Sequence, residues 1–397
     1  MKKNVLFFSG ANYSHKGFYN NNYDIFLVTD DSQEAKLQDT IYKQIIFLPD
    51  FDDFERARST ILTINQDFPL SLVTTFSEKK QPLVSKICDS LNLNGPSKTS
   101  VELLNNKYLM RKKLENKNLL ETKFSLVNCR DDIYRFIEYT DFPVVLKPID
   151  GIGGEGITLI ENEQNLNEVE EDIKNYIVEE FIQGKEFSIE AVGFKGEHQI
   201  FTITEKIKDS KMNEIGHIIP YNQKFFCLER AQEYINTLFS ILAIDQGITH
   251  TEIIVNEDGI YLVESHLRMG GNHIGEMIEM TLGINMSDIY AKSMIRGSLY
   301  RGKIEWNGTY AEVLSIFPNE SGVIEEILAP EKIENCNKIF YLKSVGDFVL
   351  NKGNSNRILS FIKESHSYNH LKDSVKSDIE KFRIKIDTKY AVSYTHL

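Results

Sequence analysis

The sequence predicts a chain of mixed α/β and α+β class: a small parallel α/β domain, a strand-rich middle with a glycine loop, and a β-rich end. Three observations carry this. Over the first 95 or so residues, short apolar runs alternate with helix-length polar–apolar segments, as strands and crossover helices do. Over 142–194 and again over 250–266 the period shortens to that of strands, with glycines between them. After Gly302 short strands recur. The 397 residues exceed the roughly 250–300 that one core organises. The expected division is 1–96, 97–302 and 303–390.

In the first domain, strands are expected at 5–8, 25–29, 45–48 and 70–76, with helices over 51–66 and 79–91. No P-loop accompanies them. Asn94-Gly95-Pro96 punctuates the chain. Thr99, three residues before Glu102, then reads as a capping box that opens one helix to about residue 114. A helical segment is expected over 274–296, and short strands over 310–317, 322–327 and 339–342, closed by a helix and a strand at 382–386. Residues 391–397 break with everything before them; they resemble translated adapter sequence, are read as a tail foreign to the chain, and are assigned no function.

Lys+Arg 45 against Asp+Glu 58 gives a net charge of −13, which argues against nucleic acid as a partner. Any polyanion must be held by a few placed cations or a metal. Cys88, Cys129, Cys227 and Cys336 are scattered with no C-x-x-C pair, which fits neither a disulfide framework nor a zinc knuckle. The apolar run after Lys3 stops at Ser9-Gly10, short of a secretory leader, and no stretch approaches the roughly 18 apolar residues of a membrane span. A cytoplasmic chain is expected.

Gly151-Ile152-Gly153-Gly154-Glu155-Gly156 satisfies G-x-G-x-x-G. A dinucleotide turn needs a helix next, whereas Ile157-Thr158-Leu159-Ile160 reads as a strand. A hairpin tip closing over phosphates fits better. It is not the kinase version, because H-R-D and D-F-G are absent and Lys147 precedes the loop. A flexible turn is the competing reading. Lys147 interrupts the apolar strand that enters the loop. Lys107 emerges from the apolar face of the capped helix, among Leu103, Leu104, Met110 and Leu114. Snorkelling explains such a lysine equally well. Together the two ammonium groups form a seat for a triphosphate in an acidic protein.

His250–Asn256 and Ile260–His266 flank Glu257-Asp258-Gly259. A three-residue loop would set Asn256 against Ile260, Glu252 against Glu264, and His250 against His266. Opposed like charges destabilise a sheet unless a hard cation, which carboxylates suit, is shared between them. Arg268 continues the same polar end. A two-residue Asp258-Gly259 loop would instead place the carboxylates on opposite faces, and solvated surface glutamates are the plain alternative.

At this point the constellation resembles the ATP-grasp superfamily of carboxylate–amine ligases, in its L-amino-acid-ligase and biotin-carboxylase-like branch. Phe142 to Pro148 with the glycine loop resembles the second phosphate lysine and its loop, and Asn106-Lys107 the first lysine, where Asp-Lys is more usual. The resemblance implies an ATP-grasp fold, with Lys107, Lys147, Gly153, Gly154 and Gly156 on the phosphates. Val178-Glu179-Glu180-Phe181 resembles the adenine-binding segment, and Glu186 is implied to meet the ribose. Glu264-Ser-His266-Leu-Arg268 resembles Glu-x-Asn-x-Arg, which implies Glu252, Glu264 and His266 as the metal set. Imidazole is a poorer ligand for Mg²⁺ than an amide oxygen, so either the carboxylates and phosphate oxygens suffice or Mn²⁺ is tolerated. Glu214-Ile-Gly216-His217 resembles a substrate-side loop of the dipeptide-forming branch, with a loop histidine of no special role as the competing reading. No biotinyl-lysine motif is present.

What the resemblance implies is an ATP-dependent ligase that joins a carboxylate to an amine through an acyl phosphate, with Arg268 and Lys147 as catalytic residues. Glu214, His217 and Arg268 would face the substrates. ATP and Mg²⁺ are the implied cofactors, small carboxylates and amines the implied partners, and a homodimer the implied assembly. A bicarbonate-using enzyme and a non-catalytic nucleotide binder are the alternatives. The retained set Glu252, Glu264 and Arg268 weighs against the binder.

Overall fold

A computed structural model describes residues 2–389 except 11, 37–40, 152, 210–212, 225 and 352; the expected tail, 391–397, lies outside the described residues. Parallel strands Asn4–Phe8, Asp24–Thr29, Tyr42–Phe47 and Leu70–Thr74 form the first sheet, in the spatial order third, second, first, fourth. Val5 and Phe7 on one face pack with Phe18 and Tyr290, while Leu6 and Phe8 on the other pack with Ile61 and Ile87. Covered faces on both sides explain why this strand reads as continuous apolar sequence. The order reverses between the first and fourth strands, which opens a crevice at their carboxyl ends. The turn after Leu70–Thr74 carries Glu78.

Helix Asn12–Asn20 was not expected; it is short and mostly polar, with Tyr13, Phe18 and Tyr19 as its large apolar side chains. Packing defines it instead. Gly17 sits so close to helix Met286–Arg296 that a Cβ would collide with the backbone of Asp288.

Residues 98–114 correct the single capped helix. Ser97, not Thr99, caps Lys98–Leu104 by accepting from Ser100 N. A second helix, Lys107–Leu114, starts afresh with Asn106 as its cap, accepting from Leu109 N at 2.9 Å. Two adjacent asparagines compete with the helix for backbone hydrogen bonds and break it. The segment 274–296 likewise divides into Ile274–Leu282 and Met286–Arg296, because Gly283 ends the first helix at φ 64°.

Strands Phe124–Val127, Tyr176–Glu180, Val144–Pro148 and Thr158–Ile160 form a small antiparallel sheet in that order. Its own core includes Val127, Ile133, Phe136 and Val144. The glycine loop is the tip of the hairpin between Val144–Pro148 and Thr158–Ile160, with Gly153, Gly154 and Gly156 all at positive φ.

The largest sheet has eight strands: Ile260–His266, Gly247–Val255, Lys185–Phe194, Glu197–Lys208, Glu214–Ile219, Tyr310–Ile316, Leu359–Ser365 and Cys336–Tyr341. Strands from 303–390 therefore extend the sheet that begins at the carboxylate hairpin. Gly216 lies at the joint, where a Cβ would stand 2.5 Å from Val313 O. A further small sheet joins Phe348–Val349, Gly322–Leu328 and Arg383–Asp387. Among the described residues no helix is long and apolar enough to cross a membrane.

Candidate active site

The carboxylate hairpin reaches its pairing by an unexpected route. Val255 faces Ile260, so four residues connect the strands instead of three. Asn256 causes this: its Oδ1 accepts from the N–H groups of Asp258 and Gly259 at 3.0 and 3.3 Å, and its own N–H donates to Gly259 O at 3.1 Å. Continued unbroken, that register would put Glu252 and Glu264 on opposite faces. The ladder shifts by one residue beyond Ile253–Leu262, leaving Val263 as a bulge, and Glu252 then faces Glu264 and His250 faces His266. The bulged carbonyl is not orphaned, because Arg111 Nη2 donates to Val263 O at 3.1 Å.

A network of charges surrounds the pair. Lys206 Nζ, from Glu197–Lys208, lies 2.6 Å from Glu252 and 2.8 Å from Glu214. Lys107 Nζ lies 3.2 Å from Glu264 and donates to Gly151 O at 2.7 Å, tying the glycine loop to the carboxylates. It does so from the first turn of its helix, on the face that also carries the buried Met110 and Leu114. His250 bridges Glu190, at 2.7 Å, and Glu252, at 3.2 Å. His266 stands 3.3 Å from both Glu264 and Glu78. Arg268 also pairs with Glu78, at 2.9 Å, so the N-terminal crevice reaches the site through that side chain, beside Gln81, whose Nε2 donates to Leu267 O at 3.0 Å.

Burial opposes charge throughout this network, and the partners outweigh it. Burial alone would raise Glu252, but Lys206 and His250 hold its carboxyl well below the usual range. Glu264 is held down against burial by His266 and Lys107. Burial would discharge His250, yet Glu190 and Glu252 push the imidazole up to about 9.

Across the cleft, Lys147 Nζ donates to Glu179 at 2.7 Å, and Arg111 grips the same carboxylate through Nε at 2.7 Å. Glu179 is buried between them, so its side chain faces two cations and is not turned toward a base. Glu180 Oε1 accepts from Lys123 N at 2.7 Å, and Phe181 N donates to Pro143 O at 3.2 Å. Glu186 pairs with Lys208. Glu214 lies on the other side of Lys206, 3.1 Å from His217 Nε2. The structure thus gathers Lys107, Glu252, Glu264, His266, Arg268, Glu214 and His217 into one connected network, with Lys147 and Glu179 as a separate buried group. Glu78, Arg111, Glu190, Lys206 and His250 complete these groups beyond the sequence expectation. The alternation of 203–208 could have flagged Lys206; Arg111 was masked by the solvated Lys112 and Lys113 beside it.

The model of the ATP-grasp domain matches residues 104–272, a span that holds both lysines, the glycine loop and the carboxylate hairpin. The chain carries an ATP-grasp domain. Among its relatives, dapdiamide A synthase of Enterobacter agglomerans is 23% identical over 59% of this chain and 59% of its own length. The L-arginine-specific L-amino acid ligase of Bacillus subtilis is 23% identical over 84% of this chain and 85% of its own. Several relatives are spanned over only half to two thirds of their length. The solved L-amino acid ligase of Bacillus licheniformis shares the ATP-grasp fold at a TM-score of 0.79 and 22% identity, over 97% of this chain and 99% of that one.

The ATP-grasp residues fit a hard cation. Ligand atoms of Glu252, Glu264 and His266 lie within 4.8 Å of one another, and the buried His266 Nε2 stands 3.3 Å from Glu264 Oε1. Two carboxylates suit Mg²⁺; His266 would ligate only as the neutral imidazole, whereas Glu264 and Glu78 raise its pKa against burial.

Proposed function

We propose that this ATP-grasp chain is an ATP-dependent ligase joining a carboxylate, an amino acid in the favoured case, to an amine. The observation that carries the reading is Glu252 facing Glu264 with Lys107 between them and the glycine loop. A substrate carboxylate oxygen attacks the γ-phosphorus, ADP leaves, and an acyl phosphate forms. The amine nitrogen then attacks the acyl carbon, the C–O bond breaks as phosphate leaves with its electron pair, and the nitrogen loses a proton.

Lys107 and Lys147 neutralise the phosphates, and Arg268, oriented by Glu78, stabilises charge on the transferring phosphoryl group. A divalent cation on Glu252 and Glu264 would supply further charge on the phosphate oxygens. The glycine loop keeps water from the acyl phosphate. The relatives named for amide and peptide-like products support this reading.

The test is phosphate release from ATP over pairs of amino acids, with mass analysis of the product. Release that needs both partners and yields their condensation product is the expected result. Release that needs bicarbonate alone points to a carboxylase-like enzyme instead, and no carboxylate-dependent release sinks the ligase. Arg268→Ala should lower turnover by about 10²–10³-fold while ATP binding, read by calorimetry, stays near the wild-type level.

A further inference from the structure

Arg357 stands beside Glu214, outside every role assigned so far. Its side chain is 16% exposed, and its guanidinium lies over Phe317, 5.8 Å from the ring centre. Burial works against its charge and lowers its pKa. Its Nε is buried with no hydrogen-bond partner. The one nearby carboxylate oxygen, on Glu214, is 3.7 Å from Nη2, too far to accept. A guanidinium presents five N–H donors in a fork matched to a carboxylate. Leaving the buried Nε–H without an acceptor costs about 1–3 kcal/mol.

Glu214 does not swing over to close the gap, because Lys206 holds it at 2.8 Å and His217 at 3.1 Å. His217 Nδ1 is itself buried and unpartnered. One wall of the site therefore offers a guanidinium with an unsatisfied Nε–H, a fixed carboxylate and an open imidazole nitrogen, linked through Lys206 to Glu252. The chemistry of the proposed reaction says which substrate meets this wall. The donor spends its reacting carboxylate in forming the bond, and the acceptor spends its amine. In an α-linked product of neutral side chains, the only free carboxylate is the acceptor's.

We infer that Arg357 anchors the carboxylate of the amine-bearing substrate, which makes that substrate an amino acid and not a simple amine. Glu214 beside it suits an ammonium group. The assignment to the acceptor rests on the ligase reading above; the affinity of Arg357 for a carboxylate does not.

The test uses the full chain with Mg²⁺ and ADP, scanned by thermal shift against the free amino acids, each with its carboxamide as control, and inorganic phosphate. At least one amino acid should raise the melting temperature where its carboxamide does not. Arg357→Ala should weaken that binding by about 10- to 100-fold, with ADP affinity unchanged. Arg357→Gln, which keeps the stem over Phe317, reads the same loss should the alanine variant not fold. The inference is overturned if no amino acid shifts the wild type, if carboxamides or phosphate alone shift it equally, or if the variants bind as tightly.

In turnover, the variants should raise KM for the amino-acid acceptor far more than they lower kcat. Carboxylate-selective, Arg357-dependent binding without phosphate release would sink the ligase reading and keep the anchor. Release at equal kcat/KM with acid and carboxamide acceptors would do the reverse.

Discussion

Glu179 shows what a side chain legible in the sequence meets in space: two buried cations. Val178-Glu179-Glu180-Phe181 resembled an adenine-binding segment, yet the Glu179 carboxylate is spent on Arg111 and Lys147. Burial would raise this carboxyl, but the two cations hold it down to about 2. In the unfolded chain it titrates near the ordinary value, so this stability is fully present above that value and is lost as pH falls towards 2. Glu179→Gln leaves two buried cations without an anion and should destabilise the protein by roughly 3–5 kcal/mol at neutral pH. Denaturant unfolding at pH 7 and again near pH 3 should show the gap between variant and wild type narrowing in acid. A pH-independent gap would refute the charge account. Sequence alone showed the lysine and the glutamate but not their pairing, because Lys147 and Glu179 meet only when two strands of the small sheet align.

At the scale of elements, periodicity gave the strands of the first sheet and the hairpin below the site, while local side-chain chemistry decided what periodicity left open. Asn105 and Asn106 split a helix that apolar spacing had joined. Asn256 lengthened a turn that Gly259 had suggested was shorter. The opposition of Glu252 and Glu264 survives that change only through the bulge at Val263, which no alternation pattern announces. Deleting Val263 removes the extra residue and brings Glu264 directly after Leu262, so the ladder should become regular with Glu252 still opposite Glu264. Mn²⁺ affinity should then fall by less than the roughly tenfold seen when metal-ligand geometry is disturbed. Glu264→Gln, which leaves the backbone alone and removes a ligand, should instead lose at least about tenfold in Mn²⁺ affinity. Electron paramagnetic titration of free Mn²⁺ reads both without relying on turnover. Affinity lost in the deletion variant as fully as in Glu264→Gln would mean that the strand register does not set the pair.

Across the whole molecule, the eight-stranded sheet carries the site at one end and a buried charge group at the other. Glu312, on Tyr310–Ile316, is fully buried, and neither carboxyl oxygen has a hydrogen-bond partner. Lys363 Nζ lies 3.8 Å away but is committed to Asp378 and to Ser374. Burial therefore dominates over Lys363 and pushes Glu312 up to about 8. The sequence places these residues on strands and a helix some distance apart and gives no sign of their meeting. The sign of the pH effect follows from proton counts. Between the ordinary carboxyl value and about 8, the folded protein holds a proton on Glu312 that the unfolded chain has released, so stability falls as pH rises through that window. Glu312→Gln keeps the shape and removes the titration. Its melting temperature should match the wild type near pH 5 and exceed it by several degrees near pH 9, since about 1 kcal/mol moves the midpoint by about 1 °C in a chain of this size. Parallel melting curves from pH 5 to 9 would instead mean that Lys363 keeps Glu312 ionised, and the two ends of the sheet would then be held by the same kind of paired charge.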